Sequence, residues 1–160
     1  MPIMNQEYAY NAVVIFCYII KNNEVLLIKR NKPPDENRHT VVGGKKERGE
    51  DLIAACKREV FEETSLVLET VKFRGVINFN IEGYGFETMA FYFMSDEFSG
   101  EPVSSAEGEL EWCNIDGSFI KAGVSDFYIK ISPFVFKQDK NFIGSISINK
   151  NGGIKSIDIF

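Results

Sequence analysis

Apolar positions along the chain fall into short runs separated by polar punctuation. Ala12 to Ile20 is the longest run, and Val13, Val14, Ile15, Phe16, Tyr18, Ile19 and Ile20 make it β-branched and aromatic. That content predicts a buried strand. Lys21-Asn22-Asn23-Glu24 breaks the pattern, and Val25 to Ile28 resumes it, so the two runs predict a hairpin. The stretch from Asn31 to Arg38, with Pro33-Pro34, reads as a loop, and Val41-Val42 leads into Gly43-Gly44 and a second loop. From Asp51 to about Ser65 there is neither Gly nor Pro and the residues favour a helix.

Strand-like runs return at Val71 to Asn80 and at Phe86 to Met94, with Gly83-Tyr84-Gly85 as the turn between them. Asp96 to Gly108 is polar, and Leu110 to Ile115 is a further short strand around Trp112. A weaker helix is predicted over Ser125 to Phe136, interrupted by Pro133. The tail alternates through Ile143, Ile146 and Ile148, breaks at Asn151-Gly152-Gly153, and alternates again through Ile154, Ile157 and Ile159, which predicts a terminal hairpin. No repeat or linker divides the chain. The pattern predicts one α+β domain over residues 1–160, with a mixed sheet and a central helix.

Composition narrows the function classes. The chain has 160 residues, 18 Lys and Arg against 23 Asp and Glu, and a formal charge of −5. A duplex nucleic acid partner calls for a basic stripe and is not expected. A small phosphorylated ligand stays open, because a metal or a few local cations can offset the repulsion. The longest apolar run is too short to span a bilayer, and no membrane role is expected. Cys17, Cys56 and Cys113 are odd in number and far apart, so neither a disulfide framework nor a zinc site is expected; a reducing cytoplasm suits them.

The chemistry concentrates between Gly43 and Leu66. Glu59, Glu62 and Glu63 lie three and four apart on the predicted helix and share one face. Like charges at that spacing repel. Either the face is simply solvated, or it binds hard divalent cations, which prefer oxygen ligands. Gly43-Gly44 allows a backbone carbonyl to approach such a cation with no side chain in the way. Glu50, just ahead of the helix, is placed to help cap it. Arg58 is placed to pair with Glu50 and hold the loop against the helix.

The run Gly44, five residues, Glu50, seven residues, Arg58-Glu59-Val60, one residue, Glu62-Glu63, one residue, Ser65, Leu66 resembles the Nudix box, G-x5-E-x7-R-E-U-x-E-E-x-G-U with U apolar. Ser65 stands where the family pattern has Gly. That Gly falls just past the helix, where a left-handed cap is common, so serine there is expected to cost on the order of 1 kcal/mol. The flanks are most similar to the MutT-like, 8-oxo-dGTP diphosphatase-type branch. They include Leu27 to Lys32, Gly100-Glu101-Pro102-Val103, Glu107 to Trp112 and the strand after Phe142-Ile143-Gly144.

The resemblance implies an α/β/α sandwich around a mixed sheet carrying the loop-helix-loop of the box. It implies hydrolysis of a phosphoanhydride in a nucleoside diphosphate linked to another group, with Mg2+ as the cofactor and Mn2+ as a substitute. Divalent ions suit this chemistry because they neutralise charge, position phosphates and acidify water. Glu59 and Glu63, then Glu62, are implied as metal ligands with the Gly43 carbonyl, and one glutamate as general base. Arg58 is implied as the residue that orients Glu50. Glu107 is implied as a further metal or base carboxylate, with Glu109 competing.

For the substrate, Lys45 is implied at the phosphates, Phe79 as an aromatic wall and Asp126 as a hydrogen-bonding acid. Thr40 takes the second position of a Trp-Asn pair for which this chain has His39-Thr40. The chain also has Phe127 where some relatives carry a second acid. The expected partner is a small-molecule nucleotide, bound by a monomer or homodimer. The first reading is a (deoxy)nucleoside triphosphate, 8-oxo-dGTP-like, cut to monophosphate and pyrophosphate. The alternatives are ADP-ribose, a nucleotide sugar, a dinucleoside polyphosphate or a capped RNA end, or a Nudix module that binds nucleotide without catalysis.

Overall fold

Strand alternation divides the long apolar run between two cores. In a computed structural model that describes residues 12–136 and 139–160, β1 (Ala12–Lys21) sends Ile15, Cys17 and Ile19 to one side and Phe16, Tyr18 and Ile20 to the other. A strand buried on both faces needs a continuous apolar run rather than an alternating one. The first eleven positions of the expected 1–160 domain, and positions 137 and 138, lie outside the described residues.

After β1 come β2 (Glu24–Arg30), β3 (His39–Thr40), β4 (Val42–Lys45) and α1 (Leu52–Thr64). Then follow β5 (Val67–Leu68), β6 (Lys72–Ile81), β7 (Thr88–Ser95), β8 (Phe98–Ser99) and β9 (Gly108–Asn114). The short α2 (Ile115–Ser118), α3 (Asp126–Phe136), β10 (Phe142–Ile148) and β11 (Ile154–Ile159) complete the order. The main sheet runs β11-β10-β6-β7-β1-β2-β3, with β4 also on β1 and β9 also on β2. It is mixed: β1 pairs β7 and β10 pairs β6 in parallel, and the other pairs are antiparallel. α1 covers the Ile15–Cys17–Ile19 face, and α3 covers the opposite one with Tyr128, Ile131 and Val135. This is the expected mixed-sheet α+β sandwich. Among the described residues no helix is long and apolar enough to cross a membrane.

Three local expectations change. Asn22 and Asn23 both take positive φ and close the β1–β2 hairpin, but the strands pair only at Ile20–Val25 and Lys21–Glu24. Beyond the tip β1 joins β4 and β7, while β2 joins β3 and β9. Gly43-Gly44 is not in a loop: β4 carries both glycines through to Lys45, paired with Val14 to Phe16 of β1. Pro133 does not interrupt the second helix, which continues to Phe136. Proline costs that helix one backbone donor. The buried Tyr128–Ile131–Val135 stripe and a 2.9 Å bond between the Ser132 and Tyr18 hydroxyls hold the helix on the sheet nevertheless. The terminal hairpin forms as expected, with a bulge at Ser147–Ile148.

Candidate active site

The loop and helix from Gly43 to Leu66 are fastened by one arginine. Asp51 is the N-cap of α1, its Oδ1 accepting from the Ala54 N–H at 2.7 Å. The cap expected at Glu50 therefore falls one residue later. The shorter Asp side chain reaches the first-turn N–H groups, while Glu50 turns back to accept from the Glu47 N–H and from Arg58. Arg58 donates its fork to Glu50, Nε to Oε2 at 3.0 Å and Nη2 to Oε1 at 2.7 Å. Nη2 also donates to the Lys45 carbonyl at 3.0 Å, and Nη1 donates to Glu59 at 2.9 Å and to Glu62 at 3.2 Å. One guanidinium thus ties β4, the loop and three carboxylates together. The arginine fork, with the Glu47 N–H, holds the Glu50 carboxyl down at about 2, and Glu50 and Glu59 in turn raise Arg58 further.

The three box glutamates differ in setting. Glu62 points outward, its side chain 56% exposed, against 13% for Glu59. Glu63 is only 4% exposed, and its Oε2 accepts from the Gly43 N–H at 3.0 Å. Burial pushes the Glu63 carboxyl up to about 7, with Glu59 and Glu107 adding to the rise and the Gly43 N–H and Arg30 opposing it. Burial also raises Glu59, against the pull of Arg58. The Glu59 carboxylate lies directly over Gly44, in the space a Cβ would fill, so any side chain at 44 would displace it.

Among the described residues, no group of three His, Cys, Asp or Glu side chains is arranged as a ready metal cage. The chemistry of the donors nonetheless fits a hard divalent cation. Glu59 and Glu63 are carboxylates held against a side-chain-free backbone, and Glu63 buries a charge whose nearest polar partner is a single N–H. A cation beside it would relieve that desolvation.

Around this centre, Glu107 sits at the mouth of β9 and is paired with Lys32 at 3.1 Å. It is within electrostatic reach of Glu63. Glu109 is exposed on β9 opposite Lys29. Lys45 is exposed at the end of β4 and gives its carbonyl to Arg58. Arg30, to which sequence reasoning assigned no role, lies at the end of β2 and bears on Glu63. Its only signal in the sequence is the basic run Lys29 to Lys32.

The residues expected at the base lie toward the α3 side. Phe79 is buried in β6, and its ring meets Phe127 edge-on at 5.6 Å between centroids. Asp126, at the start of α3, is exposed and 3.6 Å from Arg38. Thr40 is buried on β3 opposite Ile28. The His39 backbone bonds to Gly123 and Ser125, and Ser125 Oγ donates to Asp35, so β3 and the loop before it are clasped to the start of α3. The His39 ring lies 3.7 Å from Glu111, and burial lowers its pKa. The structure therefore brings Glu50, Arg58, Glu59, Glu62, Glu63 and Gly43 together in one centre. Phe79 packs on Phe127, while the neighbouring Asp126 turns to Arg38, so these two are not brought into contact.

A NUDIX domain model matches residues 10–127. The chain is 30% identical over 98 residues to an oxidized purine nucleoside triphosphate hydrolase of Danio rerio, covering 61% of this chain and 63% of the relative. It is 32% identical over 94 residues to an ADP-ribose pyrophosphatase of Methanocaldococcus jannaschii, covering 59% and 56% respectively. The chain thus spans less than two thirds of the length of either relative. A crystal structure of a MutT protein from Bacillus halodurans superposes with a TM-score of 0.83 at 27% identity, covering 92% of this chain and 97% of that one.

Proposed function

Because the chain belongs to the Nudix family of hydrolases, we propose that it is a Mg2+-dependent nucleoside triphosphate pyrophosphohydrolase. Its proposed substrate is a (deoxy)nucleoside triphosphate of the 8-oxo-dGTP kind, released as monophosphate and pyrophosphate. The observation that carries the reading is the Glu59–Glu63 face set against the bare backbone of Gly43-Gly44.

In this reading Glu59 and Glu63 hold the metal, with Glu62, the Gly43 carbonyl and Glu107 completing the oxygen donors. When bound, the ion neutralises the polyphosphate and activates water. Arg58 keeps Glu50, Glu59 and Glu62 in register through its charge-assisted bonds. One of the three box glutamates is the proposed general base that takes a proton from water. Lys45 approaches the phosphates, and Phe79, Asp126 and Thr40 line the base end. The three free thiols support the cytoplasm as its compartment. The proposed working unit is one domain, acting as a monomer or homodimer.

A second reading, ADP-ribose as substrate, is favoured by the M. jannaschii relative. Incubating the protein with nucleoside triphosphates, 8-oxo-dGTP and ADP-ribose, in Mg2+ or Mn2+, separates the two. Pyrophosphate plus monophosphate supports the first reading. Ribose 5-phosphate plus AMP replaces it with the second, and no metal-dependent product from any substrate overturns both.

A further inference from the structure

We propose that the turn between β6 and β7 carries a stacking platform, Tyr84 with Phe86, for the planar base of the substrate; this rests on the nucleotide reading above. The two rings lie together, centroids 5.5 Å apart and planes inclined at 46°. Both face solvent, Tyr84 at 60% and Phe86 at 42% exposure. A turn of this kind needs no aromatic residue: Gly83 supplies the positive φ, at +88°, and Tyr84 N–H closes on the Ile81 carbonyl at 3.0 Å. Two rings left in water at a turn gain by being covered.

The turn has a fixed base and an open tip. Ala12 N–H donates to the Glu87 carbonyl, Asn78 Nδ2 donates to Glu87 Oε2, and Glu82 N–H donates to the Ile148 carbonyl, each at 2.9 to 3.0 Å. Gly83 and Gly85 both border open space, with nothing within 4 Å of where a Cβ would sit. Its position suits the role. Phe86 precedes by two residues Thr88, which pairs with Phe79, itself against Phe127. Gly43 and Gly44 pair with Phe16 and Ile15, and the foot of the turn bonds Ala12. The turn is thus three to four residues along β1 from the carboxylate centre, ~10–13 Å, and two strands across the sheet, ~10 Å. The two offsets combine to ~14–16 Å, the span a nucleotide with its phosphates at Glu59 and Glu63 would cross to lay its base on the two rings.

The test compares Tyr84→Ala/Phe86→Ala with the unaltered chain on two substrates, a nucleoside triphosphate and inorganic tripolyphosphate. Stacking predicts that the KM advantage of the base-bearing substrate falls about tenfold. An unchanged ratio overturns the platform. A separate Tyr84→Trp variant reads binding without turnover, as the fluorescence gained over the Trp112 background. Quenching by a nucleoside monophosphate but not by ribose 5-phosphate supports stacking, even if no triphosphate is hydrolysed and the pyrophosphohydrolase reading fails. Equal response to both ligands, or to neither, overturns stacking while leaving that reading intact.

Discussion

Glu50 and Glu63 flank the same loop and helix, and their surroundings pull their acidities in opposite directions. Glu50 is met by Nε and Nη2 of the Arg58 guanidinium and by the Glu47 N–H, so its charge is favoured and its carboxyl falls to about 2. Glu63 is enclosed between α1 and β4 with one N–H for company, and its carboxyl rises to about 7. The first is a fastening that is complete as it stands. The second is a buried carboxyl whose charge is costly where it stands, a cost that the proposed cation would relieve. The carboxylate that fastens the motif and the one proposed to hold the metal thus differ in what already neutralises them.

The comparison breaks most directly at Glu63. E63Q removes the desolvated charge and keeps an acceptor for the Gly43 N–H. Metal-dependent turnover is expected to fall ~10²- to 10³-fold, while stability at pH 8 rises by on the order of 1 kcal/mol. Steady-state assays and thermal melts of the same preparation check both halves. Full activity in E63Q would remove Glu63 from the metal set.

Arg58 tests the opposite end. R58A leaves Glu50, Glu59 and Glu62 facing one another without their shared cation and frees the Lys45 carbonyl. A loss of about 2–4 kcal/mol in urea unfolding is expected. R58K should recover only part of it, because an ammonium cannot reproduce the fork. A loss under about 0.5 kcal/mol would show the network to be ornamental.

The two carboxylates also give opposite pH slopes. Glu50, with its folded value below 4.5, contributes stability above that pH and loses it as pH falls toward 2. Glu63, with its folded value above 4.5, holds an extra proton in the folded state between pH 4.5 and about 7. Metal-free stability should therefore fall as pH rises through that window, by at most on the order of 3 kcal/mol. Metal requires the deprotonated form, so added Mg2+ should stabilise more at pH 8 than at pH 5. Melts across pH, with and without Mg2+, read this; a Mg2+ effect equal at both pH values would separate Glu63 from the metal.

Much of this centre is legible in the sequence because the box is local. Glu50, Arg58, Glu59, Glu62 and Glu63 lie within fourteen positions of one another, and helical periodicity alone brings the last four to one side. The β1 run, the α1 span and the terminal hairpin are legible for the same reason. What the sequence hides depends on distant partners. Gly43-Gly44 looks like a loop until β1 is seen to pair with it. Pro133 looks like a break until the core under α3 is counted. Arg30 acquires a role only because β2 ends beside Glu63. Phe79, Asp126 and Thr40, proposed at the base, come from three separate elements, so no spacing groups them.

Ser65 offers the finest test, since it ends the helix without touching either carboxylate set. It holds φ 65° and ψ 7°, the left-handed conformation of a C-cap, and its N–H donates to the Phe61 carbonyl at 2.8 Å. A side chain in that conformation is strained, and glycine is not. Glycine also loses more backbone freedom on folding, which offsets part of the gain. S65G is therefore expected to stabilise the chain by about 0.5–1 kcal/mol, a rise in Tm of roughly 1–4 °C at this size. Because the Glu59 and Glu63 contacts lie upstream of the cap, kcat/KM should stay within about twofold. E63Q and S65G would then raise stability by similar amounts, the first with a large loss of turnover and the second with almost none. If S65G instead costs activity as E63Q does, the cap helps set the register of the carboxylate face, and the division between fastening and cation site extends to the end of α1.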